Sequence, residues 1–388
     1  MPQRLVVIAL CLSVAGCKSH KGAADAGTPN SNTSGYQNPG GTGIPAPVNG
    51  SACKATTPAA AGDCLMKASA GLPAARVSGM GAVAADRFLI VGGQSADTSF
   101  PGNVLGTVIG SDGKPGAWTT SAIPVTHPHQ AVAVVGGDLY LFGGEVVGTL
   151  NGSADVFSGA IGDQGAVTFH PAKLLPEART YLAAAASADH IYLVGGGPTT
   201  IDQDAKVYVV SLASDGTISG YRPGPPLPEP RGRAGAVVVN GYLYVAGGEF
   251  AGASDSCAKD QVLYAKVNAD GSLGAWTATT SLGAQPTGAV LVASGAHLYL
   301  VGGTAAYGDK SQGDDVGSVL EADIHADGSL GVWQRVGYLP DQRFNHSVGV
   351  VAGKLLVFGG LVMNPTPDIA LSDGLMATIQ ADGTLSCQ

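Results

Sequence analysis

Charge is scarce in this chain: only 13% of its 388 residues are Asp, Glu, Lys or Arg, and the formal balance is −9. A general nucleic-acid binder neutralises phosphates with basic patches, so this balance argues against that class. Nowhere do apolar residues return for long with the 3.6-residue period of a helix face, which argues against a large helical domain. Beyond the first residues, every apolar run is short or broken by glycine, and none is long enough to span a bilayer. No two of the six cysteines have the two-residue spacing of a zinc site. Nucleophile elbow, zincin helix, phosphate loop and Rossmann fingerprint are all missing, so no catalytic residue, metal or cofactor is expected.

Glycine, by contrast, is abundant at 59 residues, and its placement is periodic. A Gly-Gly pair follows a short apolar run six times, beginning at Gly92, Gly143, Gly195, Gly247, Gly302 and Gly359. The spacing stays between 51 and 57 residues, which means one supersecondary unit copied along the chain. A second signal recurs between the pairs. Asp112-Gly113, Asp215-Gly216, Asp270-Gly271, Asp327-Gly328 and Asp382-Gly383 supply the left-handed residues of tight hairpin turns. The calcium-loop reading of these aspartates fails for want of spaced oxygen ligands and a terminal Glu. An aromatic follows at Trp118, Tyr221, Trp276 and Trp333, with Phe169 in a degenerate copy, and is expected to pack between neighbouring sheets. The third signal is Leu-Pro-x-x-Arg, ending at Arg76, Arg179, Arg231 and Arg343, with weaker versions at Ile123-Pro124…His127 and Leu282…Pro286. An apolar strand of small residues follows each.

Apolar strand, Gly-Gly, spaced aromatic and Leu-Pro-x-x-Arg together resemble the kelch repeat. The resemblance covers 64 to the C-terminus, six times over. It implies an all-β fold: a six-bladed kelch-like β-propeller with four-stranded antiparallel blades. Phe169 and Tyr221 depart from the usual Trp, and the fourth unit closes without its Arg. The sixth unit stops before a fourth strand, while 65–70 is an orphan strand at the start of the body. The N-terminal strand is therefore expected to close the last blade, as propellers commonly do to remove open sheet edges. Cys387 lies where the missing strand would begin and Cys64 begins its replacement, which predicts a Cys64–Cys387 disulfide. The pairing left over is Cys53–Cys257, with Cys53–Cys64 as its alternative.

The first residues read as a targeting segment. Arg4 precedes an apolar stretch, and Val14-Ala15-Gly16-Cys17 resembles the lipobox of bacterial lipoproteins. That resemblance implies a signal peptide over 1–16 and lipidation (acylation, as by palmitate) of Cys17. Rich in Gly, Ser, Asn, Pro and Ala, 17–60 reads as a disordered tether. The propeller is assigned to 61–388. The expected location is the bacterial cell envelope: extracytoplasmic, anchored to a membrane through the lipid, and monomeric.

Function is less legible. The Arg of Leu-Pro-x-x-Arg precedes the innermost strand, so Arg76, Arg179, Arg231 and Arg343, with His127, are expected to ring one mouth of the propeller. Two residues on stand His129, Tyr181, Arg233 and Asn345; Gln94, Glu145 and Glu249 follow Gly-Gly pairs at the same mouth. Two readings stay open. The arginines bind a carboxylate or phosphate ligand, or they pair with acidic groups and carbonyls between blades. His127, His129 and His346 read as rim histidines, and the loop 308–315 as solvated. The favoured function is a non-catalytic binding module presenting a propeller face to a protein, peptide or glycan. The alternative is an enzyme acting on an anionic sugar, because some bacterial kelch propellers are similar to sialic-acid mutarotases. There Arg76, Arg179, Arg231, Arg233 and Arg343 would hold a carboxylate, and Glu145 or Glu249 would move protons.

Overall fold

In the computed structural model, residues 64, 66–97, 99–251, 256–283, 286–305, 317–341, 343–362 and 369–387 are described. Among them there is no helix, and six sheets of four or more strands succeed one another along the chain. Blade 3 shows the plan. Its strands Ala183–Ala186, His190–Val194, Val207–Leu212 and Ile218–Pro223 pair antiparallel in chain order. The second strand of each blade is a continuous apolar run because both of its faces are covered. Ile191, Tyr192, Leu193 and Val194 are all buried.

The first strands of the blades are Met80–Ala84, Ala131–Val135, Ala183–Ala186, Gly235–Val239, Val290–Ser294 and Ser347–Val351. Each touches the next, and the last touches the first, so the sheets close into a ring. Small side chains dominate these strands because six of them converge on one axis. An apolar cluster fills each of the six seams between neighbouring sheets. At the seam of blades 6 and 1, Phe88 and Trp118 meet Phe358 edge-on, with ring centroids 5.0 and 5.4 Å apart. Burying a side chain of this size contributes about 1.5–3 kcal/mol, so the seams are the main source of cohesion.

The expected aromatics sit at these seams and also hydrogen-bond across them. The Trp118 indole donates to the Gly71 carbonyl, Trp276 to Pro225 and Trp333 to Thr280, while the Tyr221 hydroxyl donates to Lys173. The Asp-Gly turns form, with one correction: only their glycines are left-handed, as at Gly216 (φ +82°), and the aspartates serve through their side chains instead. The carboxylates of Asp215, Asp270, Asp327 and Asp382 each accept from the backbone and hydroxyl of the residue two positions on.

Ring closure follows the expectation, with one correction. Lys67–Ser69 pairs with Gly374–Ile379, placing Lys67 opposite Met376. The sixth unit is not wholly without an outer strand, however. Leu385–Ser386 pairs with the far end of the same partner strand, at Ile379 and Thr378. The outer edge of blade 6 is thus built from both chain ends laid along one strand. A Cys64–Cys387 disulfide joins them, with Cα atoms 5.3 Å apart. Cys17, Cys53, the segments 1–16 and 17–60 and the loop 308–315 lie outside the described residues, as does the side chain of Cys257; the Cys53–Cys257 pairing therefore does too.

Candidate functional site

The Gly-Gly pair and the Arg position meet at every well-formed seam, and their chemistry is mutual. The second Gly of a blade donates its N–H to the carbonyl of the next blade's Arg. The pairs are Gly196 to Arg231 (2.9 Å), Gly303 to Arg343 (3.2 Å) and Gly360 to Arg76 (2.8 Å). The guanidinium then turns back to the first Gly of its own blade. Arg76 donates to Gly92, Arg179 to Gly195, Arg231 to Gly247 and Arg343 to Gly359. Gly195 shows why glycine is required: its φ is +61°, and a Cβ there would collide with the Arg231 carbonyl.

Each guanidinium also meets a polar side chain just before, or opening, the third strand. Arg76 donates to the Asn103 amide oxygen (3.0 Å) and Arg231 to the Gln261 amide oxygen (2.8 Å). Arg343 grips both oxygens of Asp373 at 2.7 and 2.8 Å, and Arg179 pairs with Asp204 and Glu177. His127 takes the same place in blade 2, with its Nε2 2.7 Å from Asp155. All five side chains are buried, the arginines at most 5% exposed. The ring of Arg76, Arg179, Arg231 and Arg343 therefore exists, but it is turned into the protein. All four guanidinium groups are engaged by carbonyls and polar side chains of the scaffold, as the pairing reading expects.

The residues two positions further on form a second ring. Ser78, His129, Tyr181, Arg233, Gly288 and Asn345 all hold left-handed backbone, with φ from +54° to +66°. Five are not glycine, and a side chain in this region costs of order 1 kcal/mol or more, so tertiary contacts impose it. Some of those contacts run around the axis itself. The N–H of Ser78 donates to Asn345, that of Asn345 to Gly288 and that of Arg233 to Tyr181, at 2.7, 3.1 and 2.9 Å.

Blades 2 to 4 place large side chains on this ring, and the residues after Gly-Gly join them. Glu145 is 3.2 Å from His129 Nδ1; the His129 ring lies 4.5 Å from that of Tyr181. The Arg233 guanidinium sits 3.8 Å above the Tyr181 ring and pairs with Glu249. The result is a chain of contacts, Glu145–His129–Tyr181–Arg233–Glu249, across three blades. Burial pushes the His129 imidazole below its ordinary value; the Glu145 hydrogen bond opposes this and Arg233 adds to it. Burial also lowers the affinity of Arg233 for its proton, but Glu249 and Tyr181 outweigh that and hold it above its usual range. Among the described residues, blades 5, 6 and 1 contribute Gly288, Asn345 and Ser78 to the ring, so its large side chains come from blades 2 to 4. Gln94 lies at the mouth beside Val77, its N–H donating to the Val77 carbonyl. His346 is not a rim histidine: it is buried, with Nε2 3.1 Å from the Val301 carbonyl.

Away from this mouth, the structure assembles groups that the motif reading did not single out. His297 Nδ1 lies 2.8 Å from Glu321 and 3.1 Å from Asp323. These three donor atoms are within 4.8 Å of one another, a spacing that a divalent cation could bridge. Strand register was the available signal, because His297 pairs with Asp323 and Glu321 lies two residues earlier on the same face. A depression of about 310 Å³ at the hairpin end of blades 1 and 2 is lined by Val83, Ala84, Val134, Gly136 and Ile161 with Arg87. The Arg87 guanidinium is engaged with Gly162 and Asp163, leaving no convergent polar set there.

No curated protein matches the sequence. Among solved structures, one titled "Structure of YjhT" is similar to this chain at 16% identity with a TM-score of 0.63, covering 81% of this chain and 98% of that one. That likeness speaks to the fold. The model of the KLHDC2/KLHL20/DRC7 Kelch-repeats domain matches residues 128–360, more than half of the sequence. With its Gly-Gly pairs, buried arginines and ring of sheets, the chain belongs to the kelch-repeat family.

Proposed function

We propose that the protein is a non-catalytic binding module, held at the bacterial cell envelope by a lipid on Cys17 and presenting the mouth of blades 2 to 4 to a protein, peptide or glycan. One observation supports this reading above others. The repeated arginines are consumed by the scaffold, whereas Arg233, His129 and Glu145 reach solvent at one mouth, their side chains 37%, 30% and 21% exposed, over buried Tyr181 and Glu249. A guanidinium, an imidazole and a carboxylate side by side suit the polar groups of peptide and sugar ligands. Screening the purified protein on glycan and peptide arrays tests the reading. Binding that weakens with Arg233→Ala or Glu145→Gln is the expected result. Turnover of a sugar with no array ligand would count against it. Release by a lipase or by Cys17→Ser tests the anchor.

The second reading is an enzyme acting on an anionic sugar. In its favour, His129, bonded to Glu145, and Arg233 lie on either side of Tyr181 at one mouth, an acid–base group and a cation within reach of one small ligand. Anomerisation followed by NMR across common acidic sugars decides it. A rate no higher than buffer removes the idea.

A further inference from the structure

Beside the mouth cluster the surface changes character. The segments linking the second and third strands of blades 2 and 3, residues 145–155 and 197–206, are stitched together. Thr200 donates its N–H to the Leu150 carbonyl (2.8 Å) and Gly152 to Pro198 (2.7 Å), while Asn151 and Thr199 form a bridge. Two loops that would otherwise stand apart become one rigid ledge. On it, Val147 is 52% exposed, Leu150 49%, and Val146 and Ile201 37% each. Four aliphatic side chains held outward on a fixed backbone are unusual for a face that meets only water.

The charge of the ledge is one-sided. Of its carboxylates, Asp155 is bonded to His127 and Asp204 to Arg179 and Lys206, which leaves Glu145 and Asp202 to set the sign of its charge. Glu145 faces His129, and Asp202 accepts from the Thr199 hydroxyl; among the described residues neither meets a lysine or arginine. Glu145 also ends the mouth cluster and directly precedes Val146, so the two surfaces are continuous.

We infer that this ledge docks a polypeptide segment of a partner protein that combines aliphatic side chains with lysine or arginine. The inference rests on the binding-module reading and names the class of partner. Aliphatic side chains of the partner cover Val146, Val147, Leu150 and Ile201, and its cations meet Glu145 and Asp202. Charge complementarity of this kind sets orientation and on-rate, while the apolar contact supplies most of the affinity.

The test uses the full chain and two labelled twelve-residue peptides, one alternating Lys with Leu and Val, the other with every Lys replaced by Glu. Fluorescence anisotropy should show the lysine peptide binding at least about tenfold more tightly, with an affinity that falls as salt rises. Val147→Ser with Leu150→Ser removes apolar contact without altering charge and should weaken binding by about tenfold or more. Glu145→Gln should flatten the salt dependence. Circular dichroism on each variant confirms the fold, and both serine sites are half exposed. Equal binding of the two peptides, or binding untouched by the serine variant, overturns the inference, as does no binding of the lysine peptide. In that last case a glycan hit on the array leaves the binding-module reading standing, whereas sugar turnover removes both.

Discussion

Tyr244, in the second strand of blade 4, donates its hydroxyl to the carbonyl of Gly328, 2.8 Å away in the tight turn of blade 5. The same bond links Tyr140 to Gly216, Tyr192 to Gly271 and Tyr299 to Gly383. Each tyrosine thus ties its blade to the next through the Asp-Gly turn. The position is Leu89 in blade 1 and Leu356 in blade 6, where apolar packing alone serves.

Tyr244→Phe removes one of these ties while keeping the ring in place. The Gly328 carbonyl loses a buried donor, at a cost of about 1–2 kcal/mol. Urea denaturation should show the midpoint falling with the slope unchanged. A wild-type midpoint would mean that the hydroxyl bond is replaced by water without loss.

The disulfide joins residues 323 positions apart and closes the outer edge of blade 6. Replacing Cys64 and Cys387 by Ser should lower stability by about 2–5 kcal/mol. The loss should show first as faster hydrogen exchange in Lys67–Ser69 and Gly374–Ile379, the strands that the staple holds together. Uniform exchange across all blades would refute a local role.

Arg343 and Arg233 differ in what they do despite being two residues apart. Arg343→Ala empties a fully buried site and leaves the Gly359 carbonyl without its donor, while Asp341 and Asp373, 50% and 38% exposed, can turn to water; it should cost about 2–3 kcal/mol. Arg343→Lys cannot restore the bidentate grip and should fall between. The Arg233 side chain is 37% exposed, so water can fill its place and reach Glu249, itself 10% exposed, and Arg233→Ala should cost less, about 1 kcal/mol. Thermal unfolding separates them. An Arg343→Ala protein as stable as wild type would reopen the ligand-binding reading of the ring.

His346 is one source of acid sensitivity in the fold. Burial, aided by nearby Arg343, pushes its imidazole down to about 3, against which the Val301 carbonyl acts weakly. In the unfolded chain it takes up a proton near pH 6.5, whereas in the folded protein it does not. Stability is therefore full above about pH 6.5 and declines as pH falls toward 3, by up to about 1.4 kcal/mol per unit. His346→Gln, which keeps a donor for Val301 but cannot be charged, should flatten that slope by about one proton. Stability profiles from pH 4 to 8 measure it; parallel slopes for both proteins would refute the assignment.

Much of the scaffold was legible because its signals are local. A Gly-Gly pair is demanded where two left-handed residues meet a neighbour's carbonyl, and Asp-Gly where a hairpin turns tightly. Gln94, Glu145 and Glu249 could be placed at one mouth because they follow such pairs. The role of the arginines could not be read in the same way. Arg231 and Arg233 look alike in the sequence, yet one is fully buried and the other is 37% exposed at the mouth. The tyrosine ties also went unread, although Tyr140, Tyr192, Tyr244 and Tyr299 recur at one strand position, because their acceptors are backbone carbonyls that no residue type announces.

From the order of residues alone came the repeat, the all-β ring, its closure by the N-terminal strand and the Cys64–Cys387 staple, since each is a backbone demand or a count along the chain. Only the folded arrangement decided which polar groups are spent on the scaffold and which face outward. That division depends on where each side chain points once six sheets have packed together, and packing joins residues 16 to 84 positions apart through contacts that have no fixed spelling.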